Sequence, residues 1–279
     1  MEKADLHIHS AYSDGSLSIE DIFKQSREKG LRCIAITDHD TVEGALEAEG
    51  LTELFGVEFI KGIELSAEYD KTDVHILGYF VDTYNKNLLN ELKDMKQFRR
   101  ERLISMAKKV NSLGGRVDID ELVCQINQKV ATRLHLALYM LEKKQVNSVW
   151  EAFKKYLSAD KSAYVRKSSF SVREAITLIK QADGLAVLAH PHFLPSNGWF
   201  KKFVHWGLDG MEVIYPGFSP RVISYYTRLA DSLGLFKSGG SDSHGTHKQS
   251  TPIGKITIPY SWVETMKDAK RPLLYKENL

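Results

Sequence analysis

The sequence predicts an α/β fold: mostly parallel strands in a barrel or sheet, helices outside it, and an all-helical insert. Three observations predict it. Short β-rich runs alternate with amphipathic helical stretches in both the first and the last part of the chain. Between these parts, over residues 99–161, no strand alternation is visible. The predicted strands also end in His, Asp or Glu, and in parallel α/β folds the C-terminal ends of the strands share one face.

The elements follow in order. ADLHIHS (4–10) reads as a strand. Ser18, with Asp21 three residues on, is a capping-box signal that opens a helix to about Gly30. RCIAIT (32–37) is a buried strand, and Thr41 caps a helix through about Phe55. VEFIKGIELSAEY (57–69) and DVHILGYFVD (73–82) are strands joined by a polar turn, which predicts a hairpin. From about Lys86 to Leu113 the pattern is one long charged helix, ended by Gly114 and Gly115. Residues 116–161 read as several short helices, one opened by Ser148 with Glu151. Alternation then resumes. Ser171 and Glu174 open a helix to about Asp183, GLAVLAHP is a strand, 197–206 a short helix, DGMEVIY a strand and 219–233 a helix. LFKSGGSDSH is a strand running into a loop, and IGKITIP a last short strand. The expected organisation is a barrel in two parts, 1–98 and 162–279, interrupted by the helical insert 99–161.

Length and composition limit the function classes. At 279 residues the chain is near the upper size for one core. Apolar residues at 43% and charged residues at 27% exclude a disordered chain. Cys33 and Cys124, 91 positions apart, make neither a disulfide framework nor a cysteine zinc site, and both read as buried thiols in a reducing compartment. No apolar run approaches the ~18–20 residues that span a bilayer. The start MEKADLHIHS lacks the hydrophobic segment of a signal peptide. A cytoplasmic protein, with no membrane association and no obligate protein partner, is the expectation. The net charge of +2 does not imply general nucleic-acid binding. Its distribution is uneven: residues 99–161 carry 13 Lys/Arg against 7 Asp/Glu, and the rest 25 against 29. A mildly acidic body with a basic segment fits metal ligands in one part and an anion-handling surface in the other.

The ten histidines matter by position rather than number. His7 and His9 are two apart on a strand, so both rings point to one face. Two imidazoles on one face are a half-site for a divalent transition metal. Asp14 follows them, His39 ends the second strand, Glu64 lies in the third and His75 in the fourth. His190 ends a later strand, and Asp242 and His244 follow the last long one. Those nine candidates exceed the roughly four ligands of one tetrahedral zinc. They imply two or three divalent ions sharing bridging carboxylates, and mixed imidazole–carboxylate ligation suits Mn, Fe or Zn. Asp38 is expected to orient a ligand. His205, mid-helix, and His247, in a polar loop, read as ordinary side chains.

DLHIHSAYSDG, ITDHD, GIE with VHILGY, and AHP with GGSDSH occur in the order of the four motifs of the PHP family, and the chain resembles that family over residues 1–85 and about 163–258. The resemblance implies a distorted (β/α)₇ barrel with a two- or three-metal site that hydrolyses phosphate esters. The chain looks most like the TrpH-like branch, whose members are nucleoside 3′,5′-bisphosphate phosphatases and 5′→3′ exoribonucleases acting on short RNA. That branch carries a helical insert with an Arg-Pro-His motif that contacts substrate phosphate. Arg133 and His135 match it here, with Leu134 in place of the proline.

The implied reaction is attack of a metal-bound hydroxide on phosphorus, with Arg133 holding a phosphate bidentately and His192 as a candidate proton donor to the leaving oxygen. The expected substrate is a small nucleotide or a short RNA. The same chemistry admits a histidinol-phosphate phosphatase or a metal-dependent phosphodiesterase. A non-catalytic PHP module is the reading of a different class.

Overall fold

The last five residues of Lys3–Ile8 and all of Cys33–Ile36 are buried. Such strands need cover on both faces, which a barrel interior and an outer layer of helices supply. In the computed structural model, which describes residues 2–127, 129–166, 170–196, 198–248 and 250–270, eight strands build a nearly closed barrel. They are β1 (Lys3–Ile8), β2 (Cys33–Ile36), β3 (Glu58–Tyr69), β4 (Thr72–Tyr79), β5 (Leu185–Leu188), β6 (Gly210–Ile214), β7 (Phe236–Gly239) and β8 (Ile258–Pro259). β1 to β7 neighbour one another in chain order. A parallel bridge between Ile8 and Ser243, just past β7, brings the seventh strand back to the first. β8 pairs antiparallel with the other end of β1, through Lys3–Pro259 and Ala4–Ile258.

β4 is antiparallel to both its neighbours. The expected β3–β4 hairpin is present, with register from Gly62–Tyr79 to Tyr69–Thr72. This reversal distorts the barrel: the rim that receives the C-terminal ends of the other long strands receives the start of β4.

The helices are α1 (Ile19–Glu28), α2 (Glu43–Glu47), α3 (Leu51–Phe55), α4 (Lys86–Ser112), α5 (Ile119–Ile126), α6 (Arg133–Glu142), α7 (Val149–Ala152), α8 (Val172–Gln181), α9 (Gly198–His205), α10 (Pro220–Leu233) and α11 (Tyr260–Lys270). A π-helical turn, Phe153–Leu157, continues α7. The predicted caps form: Ser18, Ser148 and Ser171 accept from the amides of Asp21, Glu151 and Glu174. None of these helices is long and apolar enough to cross a membrane.

α4 belongs to two cores. Its first half buries Leu88, Leu92 and Met95 against the barrel. Its second half buries Leu103, Met106 and Val110 in a separate cluster with Leu122, Ile126, Leu136 and Met140 of α5 and α6.

Three expectations need correction. The single helix read from Thr41 to Phe55 is two short helices broken at Gly50, and Thr41 only accepts from the amide of Glu43. The last strand is confined to Ile258–Pro259. It leads directly into α11, which sequence reading missed although Tyr260, Val263 and Met266 recur at helical spacing and are buried. Of the two cysteines only Cys33 is buried; Cys124 is exposed.

Candidate active site

β1 carries His7, and His9 follows just past its last residue on the same side, as extended backbone with a period of two requires. The segment after β2 carries His39, which bridges to Glu64 in mid-β3. His75 stands near the start of β4, which meets the rim because that strand is reversed. His190 follows β5, and Asp242 and His244 follow β7. Both His190 (φ 30°) and Asp242 (φ 48°) hold left-handed backbone, a cost that non-glycine residues accept mainly at functional sites. The strand end before Asp242 passes so close to β1 that a Cβ on Gly240 would lie 2.5 Å from the His7 amide nitrogen. Only glycine fits there.

The nine candidate ligands meet in one cluster around Glu64. Glu64 Oε2 lies 3.3 Å from His7 Nε2, 3.1 Å from His9 Nε2 and 3.3 Å from His39 Nδ1. Its Oε1 lies 2.8 Å from His75 Nδ1 and 3.1 Å from His190 Nε2. Asp242 Oδ1 is 3.5 Å from His7 Nε2 and 3.3 Å from His9 Nε2. Asp14 Oδ1 is 3.4 Å from His244 Nε2 and 3.8 Å from His9 Nδ1. Three subsets are close enough to share an ion: His9, Asp14, His39 and His244; His7, His9 and Asp242; His39, Glu64 and His75.

The electrostatics are those of a site made for cations. Burial drives the Glu64 carboxyl upward, but His39, His7 and His75 outweigh it and hold its pKa well below the ordinary value. Asp14 is depressed in the same way, by His244 and His39. Burial pushes His9 down, and the opposing pull of Asp242 and Glu64 leaves it at about 10, whereas burial keeps His39 well below its usual value. Both ring nitrogens of His9, and Nδ1 of His39, are buried with no aligned hydrogen bond. Orphaned imidazole nitrogens between carboxylates fit metal ions, which would take the lone pairs that protons serve poorly.

Several supporting residues escaped sequence reading. Glu212, fully buried in β6, accepts from His7 Nδ1 at 2.9 Å and from the His190 amide at 2.6 Å. It thereby turns Nε2 of His7 toward the cluster. The Tyr215 hydroxyl donates to Asp242 at 2.6 Å. His247, read as an ordinary loop residue, contacts the Asp14 carbonyl oxygen through Nδ1 at 2.9 Å. Asp38 touches the loop after β1 rather than an imidazole: it accepts from Ser10 N at 2.8 Å, Ser10 Oγ at 2.6 Å and Ser13 Oγ at 2.6 Å. The only sequence signal for Glu212 was a carboxylate inside the apolar run DGMEVIY.

A cavity of about 120 Å³ adjoins the cluster, lined on one side by Asp14, His39 and His75 and on the other by Arg99, Arg102, Thr132, Arg133 and Leu134. Arg99 is committed to Asp40 Oδ2 at 2.5 Å and Ser66 Oγ at 2.7 Å. Arg102 is buried, and its Nη2 has no hydrogen-bond partner among the described residues. Burial and the neighbouring Arg133 lower its pKa to about 10, so it stays charged at neutral pH. Arg133 opens α6, with its guanidinium over the rings of Phe153 and Tyr164. Leu134 follows it in the first turn of α6, where an amide has no partner within the helix, so the position accepts proline or leucine without loss of a helical hydrogen bond. His135 Nδ1 accepts from the Thr132 amide at 3.1 Å, leaving Nε2 as the ring's donor. His192 stands apart from the nine. It is exposed, its ring packs on Phe193, Tyr215 and Phe218, and partial burial together with His190 lowers its pKa.

An α/β barrel with an imidazole–carboxylate cluster at its rim and arginines facing it is the build of a metal-dependent phosphoesterase. The PHP domain model matches residues 5–165, and the chain belongs to that family of hydrolases. It is 31% identical over 272 residues to a 5′–3′ exoribonuclease of Haemophilus influenzae, covering 96% of this chain and 94% of that one. It is 30% identical over 261 residues to a 3′,5′-nucleoside bisphosphate phosphatase of Chromobacterium violaceum, covering 91% of each. Among solved structures, a Bifidobacterium adolescentis protein described provisionally as a metal-dependent phosphoesterase superposes with a TM-score of 0.89 at 27% identity, over 97% of each chain.

Proposed function

We propose that this phosphoesterase removes the 3′-phosphate of nucleoside 3′,5′-bisphosphates and shortens 5′-phosphorylated RNA from its 5′ end. The observation that carries the reading is the small cavity shared by the cluster and the arginines. It offers an anion site beside a metal site, and the two phosphates of one nucleotide need both. The names of the two relatives, one acting on RNA and one on bisphosphates, support the same substrate class.

In this reading His7, His9, Asp14, His39, Glu64, His75, His190, Asp242 and His244 hold two or three divalent ions, with Mn, Fe and Zn suited to the donor set. When bound, such ions bring the pKa of water toward neutrality and neutralise phosphoryl oxygens. The chain's own residues do the rest. Glu212 fixes the ring orientation of His7, and Tyr215 that of Asp242. Arg102 and Arg133 hold the phosphate that is not cleaved, and His135 donates to it through Nε2. Residues 99–161 then act as an insert whose task is to wall the anion site. His192 is the candidate proton donor to the leaving oxygen.

The test is kcat/KM for adenosine 3′,5′-bisphosphate, 3′-AMP and 5′-AMP at fixed Mn²⁺. The bisphosphate is expected to be the best of the three, because a monophosphate leaves one anion site empty. If 5′-AMP is the best, the two-anion reading is wrong.

A further inference from the structure

The arginine cavity occupies the β2–β4 arc of the rim, where His39 and His75 line it. The β5–β7 arc carries a second and larger cavity, about 460 Å³, lined by His192, Phe193, Tyr215, Pro216, Thr251 and Lys255 among others. It touches the same cluster from the far side. The Tyr215 hydroxyl is bonded to Asp242, and the Phe193 ring centroid lies 5.4 Å from that of His190.

Three features of this cavity have no part in the reaction described so far. Phe193 is 61% exposed, although it sits next to a candidate metal ligand. Its ring lies on His192, centroid to centroid 4.0 Å. Thr251 is buried, and its hydroxyl has no hydrogen-bond partner among the described residues. Lys255 adds a cation at the wall, held by the Ser250 carbonyl oxygen at 2.7 Å. An exposed aromatic ring beside a hydroxyl and an ammonium suits a nucleotide: every base has a face to stack, and the sugar-phosphate needs polar partners.

The direction of the chain decides which nucleotide. If the 5′-phosphate lies among the arginines and the 3′-phosphate at the cluster, the first nucleoside lies between them. A bisphosphate ends there. An RNA continues past the scissile phosphate, onto the opposite arc. We propose that the β5–β7 cavity is the subsite for the second nucleotide of a 5′-phosphorylated RNA, with its base stacked on Phe193 and its sugar-phosphate facing Thr251 and Lys255. This rests on the nucleotide reading above and implies that RNA binds better than its terminal nucleotide alone.

The test is Phe193→Ala beside Phe193→Tyr, measured on a 5′-phosphorylated tetraribonucleotide and on adenosine 3′,5′-bisphosphate. Loss of one base stack is expected to lower kcat/KM for the RNA about tenfold, mainly through KM, and to leave the bisphosphate within about twofold. Phe193→Tyr should restore the RNA value. Equal losses on both substrates, or no loss on RNA, would overturn the proposal. Anisotropy of the 3′-labelled tetranucleotide on metal-free protein reads the subsite separately. Binding that weakens in Phe193→Ala and returns in Phe193→Tyr supports it even if the wild type hydrolyses no nucleotide, an outcome that would overturn the substrate reading alone. Wild-type binding no tighter than that of Phe193→Ala would overturn the subsite.

Discussion

Glu212 touches no phosphate and contacts two candidate ligands, His7 and His190. Its charge favours the tautomer of His7 with a proton on Nδ1, so Nε2 keeps its lone pair toward the cluster. Glu212→Gln keeps a hydrogen bond but not the charge. It should weaken metal affinity about 10–100-fold with the fold intact, as read by metal titration beside circular dichroism. Arg133 acts at the other end of the substrate. If it holds the phosphate that is not cleaved, Arg133→Ala should lower kcat/KM for a bisphosphate about 100-fold. It should affect p-nitrophenyl phosphate far less, because that ester has no second anion. Equal losses on both esters would place Arg133 at the reacting group instead.

At the scale of the element, α6 couples the anion site to the stability of the helical unit. His135, in its first turn, receives the Thr132 amide and is pushed by burial to a pKa of about 4, against the usual 6.5. The fold favours the neutral ring. That contribution is complete above about pH 6.5 and is lost as pH falls toward 4. Glutamine at this position can still accept the Thr132 amide, as in a capping box, and does not titrate. His135→Gln should therefore lose less Tm than the wild type between pH 7 and pH 4.5 in thermal melts. A parallel fall in both proteins would mean that His135 does not carry the acid sensitivity. α4 shows why the boundary read at residue 99 is invisible as a break: the helix is continuous, and only its buried residues change partners between Met95 and Leu103.

At the scale of the whole molecule, six imidazoles and three carboxylates converge from most of the barrel strands, so the site and the fold share one free energy. Ions that bind only the folded chain stabilise it, by roughly 2.7 kcal/mol at a free concentration 100 times Kd. Chelation should lower Tm, and Mn²⁺ or Zn²⁺ should restore it. Elemental analysis after gentle purification should find at least two transition-metal equivalents per chain; one or none, unchanged by added metal, would overturn the multinuclear site. The sequence by itself determined most of the alternation of strands and helices, the caps of Ser18, Ser148 and Ser171, and the nine candidate ligands. These are local properties: His7 and His9 share a face because strand periodicity is two, and His190, Asp242 and His244 stand out because they follow predicted strands. Only the tertiary structure decided what depends on neighbours distant in the chain. The hairpin already implied that β4 runs against β3; the tertiary structure showed that β4 also runs against β5, so that His75 reaches the rim from the start of a strand. It gave mid-strand Glu212 a histidine partner more than 200 positions away. It set Arg102, one of several basic residues on a long charged helix, against the cavity, with a guanidinium nitrogen that no described residue pairs. A carboxylate or guanidinium inside a regular element looks alike in sequence whether it meets water or a reacting centre, because the difference lies in what packs against it.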